Sequence, residues 1–189
     1  VFPSTTACAM TTAATGLPPA AHGLPGRYSF IRERDLRVNT LSFRTREGNI
    51  LLTGENEKAL HGPPVPLRRL YPFPSLIPAM EIPVFTVVPR VLMGSPFASY
   101  LFSDTPSAGY SSIQEGVDSI IAAAAGMGEK GYAFYYIWDL DSRCHEAGPG
   151  HPSALELLKN IDREMERLRE SLGKDTLLVI TADHGQIDI

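Results

Sequence analysis

The sequence lacks the features that mark three large classes of protein. Its 189 residues contain two cysteines, Cys8 and Cys144, too few for a disulfide framework, and this favours a reducing compartment such as the cytoplasm. No apolar run reaches the roughly 18 residues that span a bilayer. Basic residues number 17 against 21 acidic ones, and the net charge of -4 argues against binding to a nucleic-acid duplex. An anionic ligand must therefore meet local positive charge: metal ions, a helix N-terminus or a few arginines.

Apolar runs and amphipathic segments alternate along the chain. Short apolar runs bounded by turns predict buried strands, and they are IPVFTVVP (82–89), YAFYYIWDLD (132–141) and TLLVITADHG (176–185). Helical patterns cover 6–15, 112–125 and 153–172, the last with a capping box from Ser153 to Glu156 and with Gly173 at its end. Strands without alternation that are separated by helices predict an α/β fold, with a mainly parallel sheet sandwiched by helices.

The region from 27 to 80 is less regular. LSFRTREGNILLTG (41–54) predicts a hairpin that bends at residues 47–49, a Pro-rich loop follows, and SLIPAM (75–80) predicts a short helix. Phe30, Phe43 and Tyr71 are candidates for stacking on a base, although core packing is the stronger interpretation. Arginines that could reach an anion, or lie solvated on the surface, stand at positions 32, 34, 37, 44, 46, 68 and 69.

Residue types that bind metals follow two of the predicted strands. The first strand leads into Asp139, Asp141 and His145, and the second into Asp183 and His184. The carboxyl ends of parallel strands lie at one edge of a sheet, where active sites form. Mixed carboxylate and imidazole ligands suit zinc, with manganese or iron as second choices. Turn residues and ordinary surface histidines are the alternative interpretation, and Asp139 competes with Asp141 as a ligand.

The opening stretch TTACAMTTAATG (5–16) places Thr6 at the start of a helix of small residues. A helix N-terminus offers N–H donors and partial positive charge to a phosphate group. A threonine hydroxyl is a poor nucleophile at neutral pH, but a divalent cation favours its alkoxide. Tight packing of small side chains explains the same composition without any chemistry.

Three motifs together resemble the alkaline phosphatase superfamily, and most closely its type I phosphodiesterase/nucleotide pyrophosphatase branch. The first contains Thr6, then Thr15-Gly16, Pro18-Pro19 and His22-Gly23. The second contains Asp141 and His145 followed by Gly148-Pro149, and the third is Asp183-His184-Gly185. They stand in the family's order and span nearly the whole chain.

The resemblance implies a metal-dependent phosphoesterase that uses a threonine nucleophile and two divalent cations, zinc or else manganese. Thr6 would form a phospho-threonine, Asp141 and His145 would bind one cation, and Asp183 and His184 would bind the second. The substrate would be a small phosphorylated molecule, such as a nucleotide. Residues 1–189 would form part of an alkaline phosphatase-like catalytic domain, with 27–80 as a cap-like insertion that lines the pocket.

The sequence departs from the family pattern in three respects. Ala9 stands where the family carries an asparagine that holds a phosphate oxygen, and Cys144 replaces a small residue before His145. Two further metal ligands of the family, one before Thr6 and one after His184, have no counterpart. We therefore expect these residues to be an incomplete domain that is inactive as it stands. A pseudoenzyme that serves as a binding module, a phosphomonoesterase and a phosphonate hydrolase are the alternatives. A peptide metallohydrolase lacks support because no His-Glu-x-x-His motif is present.

Overall fold

A computed structural model describes residues 5–45, 68, 71–103 and 105–187. The chain divides into two compact units. The first unit comprises Val1–Ala79 and Gly94–Asp104, and the second comprises Met80–Met93 and Thr105–Ile189. Thr6 belongs to the first unit, and the four predicted metal ligands belong to the second.

The first unit begins with a helix of small residues, as the sequence predicts. Helix α1 spans Thr6–Thr15 and ends at Gly16, whose φ of 70° places it in the left-handed region that glycine tolerates best. The hydroxyls of Thr11 and Thr15 donate to the carbonyls four residues earlier, both at 2.7 Å, so both threonines can be buried. The next helix, α2, is a single turn at Pro19–His22.

An antiparallel meander occupies much of the described part of 27–80. Strands β1 (Tyr28–Ile31), β2 (Leu36–Asn39) and β3 (Arg44–Thr45) pair in that order, with Phe30 opposite Arg37. Phe43 and Tyr71 are buried, which confirms their interpretation as core residues, whereas Phe30 is exposed. SLIPAM forms a 3-10 turn at Ile77–Ala79, and helix α3 (Pro96–Phe102) completes the unit. The predicted bend at 47–49 lies outside the described residues.

The second unit is built on a parallel sheet. Strand β4 (Val84–Pro89) lies between β5 (Ser107–Tyr110) and β6 (Tyr132–Tyr135), and both pairings are parallel. Helix α4 (Ile113–Gly126) packs on this sheet, α5 (Asp139–Ala147) follows β6, and α6 (Pro152–Ser171) packs on α4 and α5. The core cluster joins strand and helix residues: Val87, Tyr110, Ile113, Val117, Ile120 and Leu168. This is the α/β fold with a parallel sheet flanked by helices that the sequence predicts.

Two sequence predictions about this unit are wrong. Residues 176–182 form no strand, and the side chains of Leu177, Val179 and Ile180 are exposed. A strand needs a neighbour for its backbone hydrogen bonds, and within the described residues this run has none. The capping box at Ser153 is also wrong. His151 is the N-cap because Pro152, which has no N–H to satisfy, occupies the first helical position.

The remaining second-unit predictions hold with changed boundaries. The apolar run at 132–141 contains a strand of four residues, and the helix that carries the metal-binding residue types begins at Asp139. The helix predicted at 112–125 spans Ile113–Gly126, with Ser112 as its N-cap. No described helix is long and apolar enough to cross a membrane.

Candidate active site

Thr6 is the first residue of α1, and the N–H groups of a helix's first turn have no acceptor within the helix. Thr5 is the N-cap, but within the described residues its side chain makes no capping bond and its buried hydroxyl has no hydrogen-bond partner. The first turn carries no acidic residue that would neutralise the positive end of the helix dipole. The start of α1 therefore offers backbone N–H donors to an anion. The neighbouring residue Ala9 is buried and contributes no polar group in place of the family's asparagine.

Asp139 and Asp141 both lie in the first turn of α5 but contact different groups. The hydroxyl of Tyr110 donates to Asp139 Oδ2 at 2.5 Å, and the N–H of Trp138 donates to the same hydroxyl at 3.4 Å. Burial, followed by the bond to Asp139, raises the pKa of Tyr110, so the phenol remains protonated and acts as the donor. Asp139 thus holds the start of α5 against β5, which favours Asp141 as the ligand.

The carboxylate of Asp141 lies beside the imidazole of His145. The two residues are four positions apart on α5, one helical turn, and His145 Nε2 is 3.5 Å from Asp141 Oδ1. The imidazole is mostly exposed, whereas the Asp141 side chain is 30% exposed. Cys144, which directly precedes His145, is buried and has a free thiol. One helical turn brings this pair together.

His184 approaches the same carboxylate from the segment that follows the apolar run at 176–182. Its Nε2 is 3.7 Å from Asp141 Oδ1 and 3.6 Å from Asp183 Oδ2. Its Nδ1 is 3.0 Å from the carbonyl oxygen of Gly185, and because a carbonyl can only accept, Nδ1 is the donor. In neutral His184, Nε2 therefore carries a lone pair that faces two carboxylates. A cation or a hydrogen-bond donor placed between these groups would satisfy them.

Gln186 makes a contact that the sequence motifs do not indicate. Its side-chain amide donates to Asp141 Oδ1 and so links the Asp183-His184 segment to α5. The sequence signal for the Gln186 contact is only that Gln186 directly follows Asp-His-Gly. The sequence gives no signal for the Tyr110 contact, because Tyr110 ends an apolar strand and the aspartate that it bonds lies 29 positions later.

The arrangement of these groups is compatible with cation binding but falls short of a complete site. Zinc bonds of 2.0–2.2 Å in a tetrahedron place ligand atoms about 3.3–3.6 Å apart, close to the three contacts at 3.5–3.7 Å. Asp183 Oδ2 is buried and, among the residues described, has no hydrogen-bond partner, as a vacant ligand would. The contacts form a chain of pairs, however, and within the described ranges no three His, Cys, Asp or Glu side chains form a cage that could hold a metal.

Two other histidines, His22 and His151, hold local backbone structure in place. His22 is buried, accepts a hydrogen bond from the Leu24 N–H at Nδ1 (3.1 Å), and lies 3.0 Å from the Thr12 hydroxyl at Nε2. It therefore ties the Pro-rich turn to α1, and burial lowers its pKa. His151 caps α6 through Nδ1, which accepts from the Ser153 N–H at 3.2 Å.

Comparison with known proteins identifies relatives of the chain. The family model described as type I phosphodiesterase / nucleotide pyrophosphatase matches residues 1–189. The human protein ectonucleotide pyrophosphatase/phosphodiesterase family member 7 is 36% identical over 59 residues. The alignment covers 29% of this chain and 13% of the human protein, so the similarity covers a small part of that relative.

Proposed function

Because the chain belongs to the type I phosphodiesterase/nucleotide pyrophosphatase family, we propose that it is the metal-binding part of a phosphodiesterase. Phosphoric-ester hydrolysis is the chemistry of the family, and metal dependence is general in it. The finer assignments are that Thr6 is the nucleophile, that Asp141 with His145 binds one cation, and that Asp183 with His184 binds a second. Zinc is the proposed metal, with manganese as the alternative.

The convergence of His145 and His184 on one oxygen of Asp141 is the observation that carries this function. His184 lies 43 positions after Asp141 in the sequence, yet its Nε2 faces both that carboxylate and Asp183. Mixed carboxylate and imidazole donors are ligand types that zinc prefers, and these separations are close to those between neighbouring ligands of one ion. Asp183 Oδ2, which is buried and accepts no hydrogen bond from a described residue, supports the same interpretation.

Thr6 would act as the group that accepts the phosphoryl moiety. Bound divalent cations would favour the alkoxide of Thr6 and neutralise charge on the phosphate. The backbone N–H groups at the start of α1 would hold a phosphate oxygen, a role that Ala9 cannot take through its side chain. Attack of the Thr6 oxygen on phosphorus would expel one alcohol of the diester and leave the phosphate, with its other ester group, bound to the Thr6 oxygen. Water would then attack phosphorus, release a phosphomonoester and regenerate the hydroxyl of Thr6.

Metal binding and hydrolysis are tested separately. Equilibrium dialysis of the protein against zinc should give up to two ions per chain, and the change His184→Ala should remove at least one. In the full-length protein with zinc or manganese, Thr6→Ala should lower hydrolysis of bis(4-nitrophenyl) phosphate by at least about 10³-fold, whereas Thr6→Ser retains part of it. Thr5→Ala is the matched control and should leave hydrolysis intact, since its hydroxyl bonds to no described residue.

A non-catalytic binding module is the second candidate function. It is favoured by Ala9 in place of the phosphate-binding asparagine and by the lack of a three-ligand cage among the described residues. Zinc binding without turnover of any nitrophenyl diester or monoester would favour this candidate. A chain that binds no zinc or manganese by elemental analysis contradicts the proposed metal site altogether.

A further inference from the structure

The exposed face of the β1–β3 meander combines two aromatic rings with an arginine. Tyr28 and Phe30, two positions apart on β1, point to the same face and are 47% and 57% exposed. Arg37 on β2 is the direct cross-strand partner of Phe30 and is also exposed. The intervening Ser29 pairs with buried Val38, which shows that the opposite face is the one that packs inward. We call Tyr28, Phe30 and Arg37 the aromatic platform.

The platform lines a concave space of useful size. Tyr28, Ser29, Phe30 and Arg37 line a concave space of about 470 Å³ that is open to solvent. Binding sites for small molecules commonly measure about 300–1,000 Å³. This space therefore has room for a single nucleotide, and all its lining residues belong to the first unit.

The charge around the platform differs from that of the whole chain. Residues 27–45 contain five arginines and two acidic residues, whereas the full chain carries a net charge of -4. Among the described residues, Arg37 forms no ion pair, so its guanidinium is available to an anion. An uncharged aromatic ligand would leave this cation without a partner, and inorganic phosphate would leave both rings exposed to water.

We propose that the aromatic platform binds a mononucleotide, with the base stacked on Phe30 or Tyr28 and the phosphate held by Arg37. Stacking on an exposed ring is tolerant of the base, and a guanidinium binds phosphate through paired N–H groups. None of its residues is a predicted metal ligand, and the binding needs no metal. The proposal extends the proposed function by assigning nucleotide binding to residues other than Asp141, His145, Asp183 and His184.

Binding of AMP to the whole protein in excess EDTA tests the platform. We expect saturable AMP binding by equilibrium dialysis, and much weaker binding of adenosine and of ribose 5-phosphate, which each lack one half of the ligand. Phe30→Thr, which retains a residue suited to a strand, should weaken AMP binding roughly 5- to 100-fold, the usual effect of a lost base stack. Arg37→Gln should weaken it about tenfold and reduce its sensitivity to salt.

Two control variants lie in the second unit. Ile82→Thr and Arg169→Gln remove an exposed apolar side chain and an exposed arginine from elsewhere and should bind AMP as the unaltered protein does. Absence of saturable AMP binding in EDTA overturns the proposal, as does wild-type affinity in both Phe30→Thr and Arg37→Gln. Ribose 5-phosphate binding as tightly as AMP also overturns it. Each of these outcomes leaves zinc binding by His184 untouched, so the two proposals fail independently.

Discussion

Asp139→Asn and Asp141→Asn change the same chemical group two residues apart on α5, and we expect them to damage different properties. Asp139 accepts the Tyr110 hydroxyl at 2.5 Å, whereas Asp141 faces His145 and His184 at 3.5 and 3.7 Å. The first change should lower stability and spare zinc binding. The second should abolish most zinc binding and spare stability in the absence of metal.

The expected loss of stability in Asp139→Asn follows from its contacts. The amide can still accept from Tyr110, but a hydrogen bond to a charged group contributes about 1 kcal/mol more than a neutral one. Loss of an acidic group from the first turn of α5 removes a further 0.3–1 kcal/mol, roughly, from its interaction with the helix dipole. For a chain of this size, each kcal/mol shifts the unfolding midpoint by about 2–4 °C. We therefore expect a fall of roughly 3–8 °C.

The expected effect of Asp141→Asn on zinc is larger than its effect on the fold. A neutral amide is a poor zinc ligand, and even changes to groups that only orient ligands weaken metal binding about 10- to 100-fold. Loss of a direct carboxylate ligand should therefore weaken zinc binding by at least about 100-fold. The Gln186 amide can still donate to the oxygen of an asparagine, so stability without metal should change by less than about 1 kcal/mol.

The assay pairs thermal unfolding in EDTA with competition for zinc against a chromophoric chelator. Both variants and the unaltered chain are measured under the same buffer and salt. Equal weakening of zinc binding by Asp139→Asn and Asp141→Asn would refute the division of roles between them. Wild-type zinc affinity in Asp141→Asn would refute the metal site itself.

Three further changes test how side chains pack within each unit. Burial lowers the pKa of His22, so below pH about 6.5 the unfolded chain binds a proton that the folded chain does not. The free energy of unfolding should therefore fall by up to about 1.4 kcal/mol for each pH unit of acidification. In urea titrations at several pH values, His22→Gln should make this fall less steep. Gly116→Ala should destabilise by about 1–3 kcal/mol despite alanine's better helix propensity, because the new Cβ would lie 2.7 Å from Tyr135 Cε2. Leu168→Ala should cost about 2–5 kcal/mol in chemical unfolding, since this side chain is 2% exposed in the core.

Each of these changes has a matched control in the same chain. His151→Asn keeps a cap on α6 and should leave the pH dependence of stability in place. Gly126→Ala adds a Cβ that meets nothing within 4 Å and should be neutral or stabilising. Leu158→Ala removes a half-exposed side chain from the same helix as Leu168 and should change stability by less than about 1 kcal/mol. A control that behaves like its partner would contradict the packing explanation for that pair.

Local patterns predicted the three longest described helices because helices are built from local contacts. Helices α1, α4 and α6 begin and end within one residue of the expected positions. The first residue of α6 shows the limit of this reasoning: a capping box and a proline competed for the same turn, and the proline decided it. The run at 176–182 has the composition of a buried strand, but composition does not supply the neighbouring strand that pairing requires.

The amino-acid sequence by itself determined the α/β class, the three longest described helices and the residue types of the candidate site, because periodicity and motif spacing are properties of neighbouring residues. Residue types alone left Asp139 competing with Asp141, and the resemblance to the family favoured Asp141. Only the tertiary structure gave the two carboxylates different partners, Tyr110 for Asp139 and His184 with Gln186 for Asp141. Those contacts join residues 29 to 45 positions apart, and they exist because parallel strands and packed helices bring distant segments together.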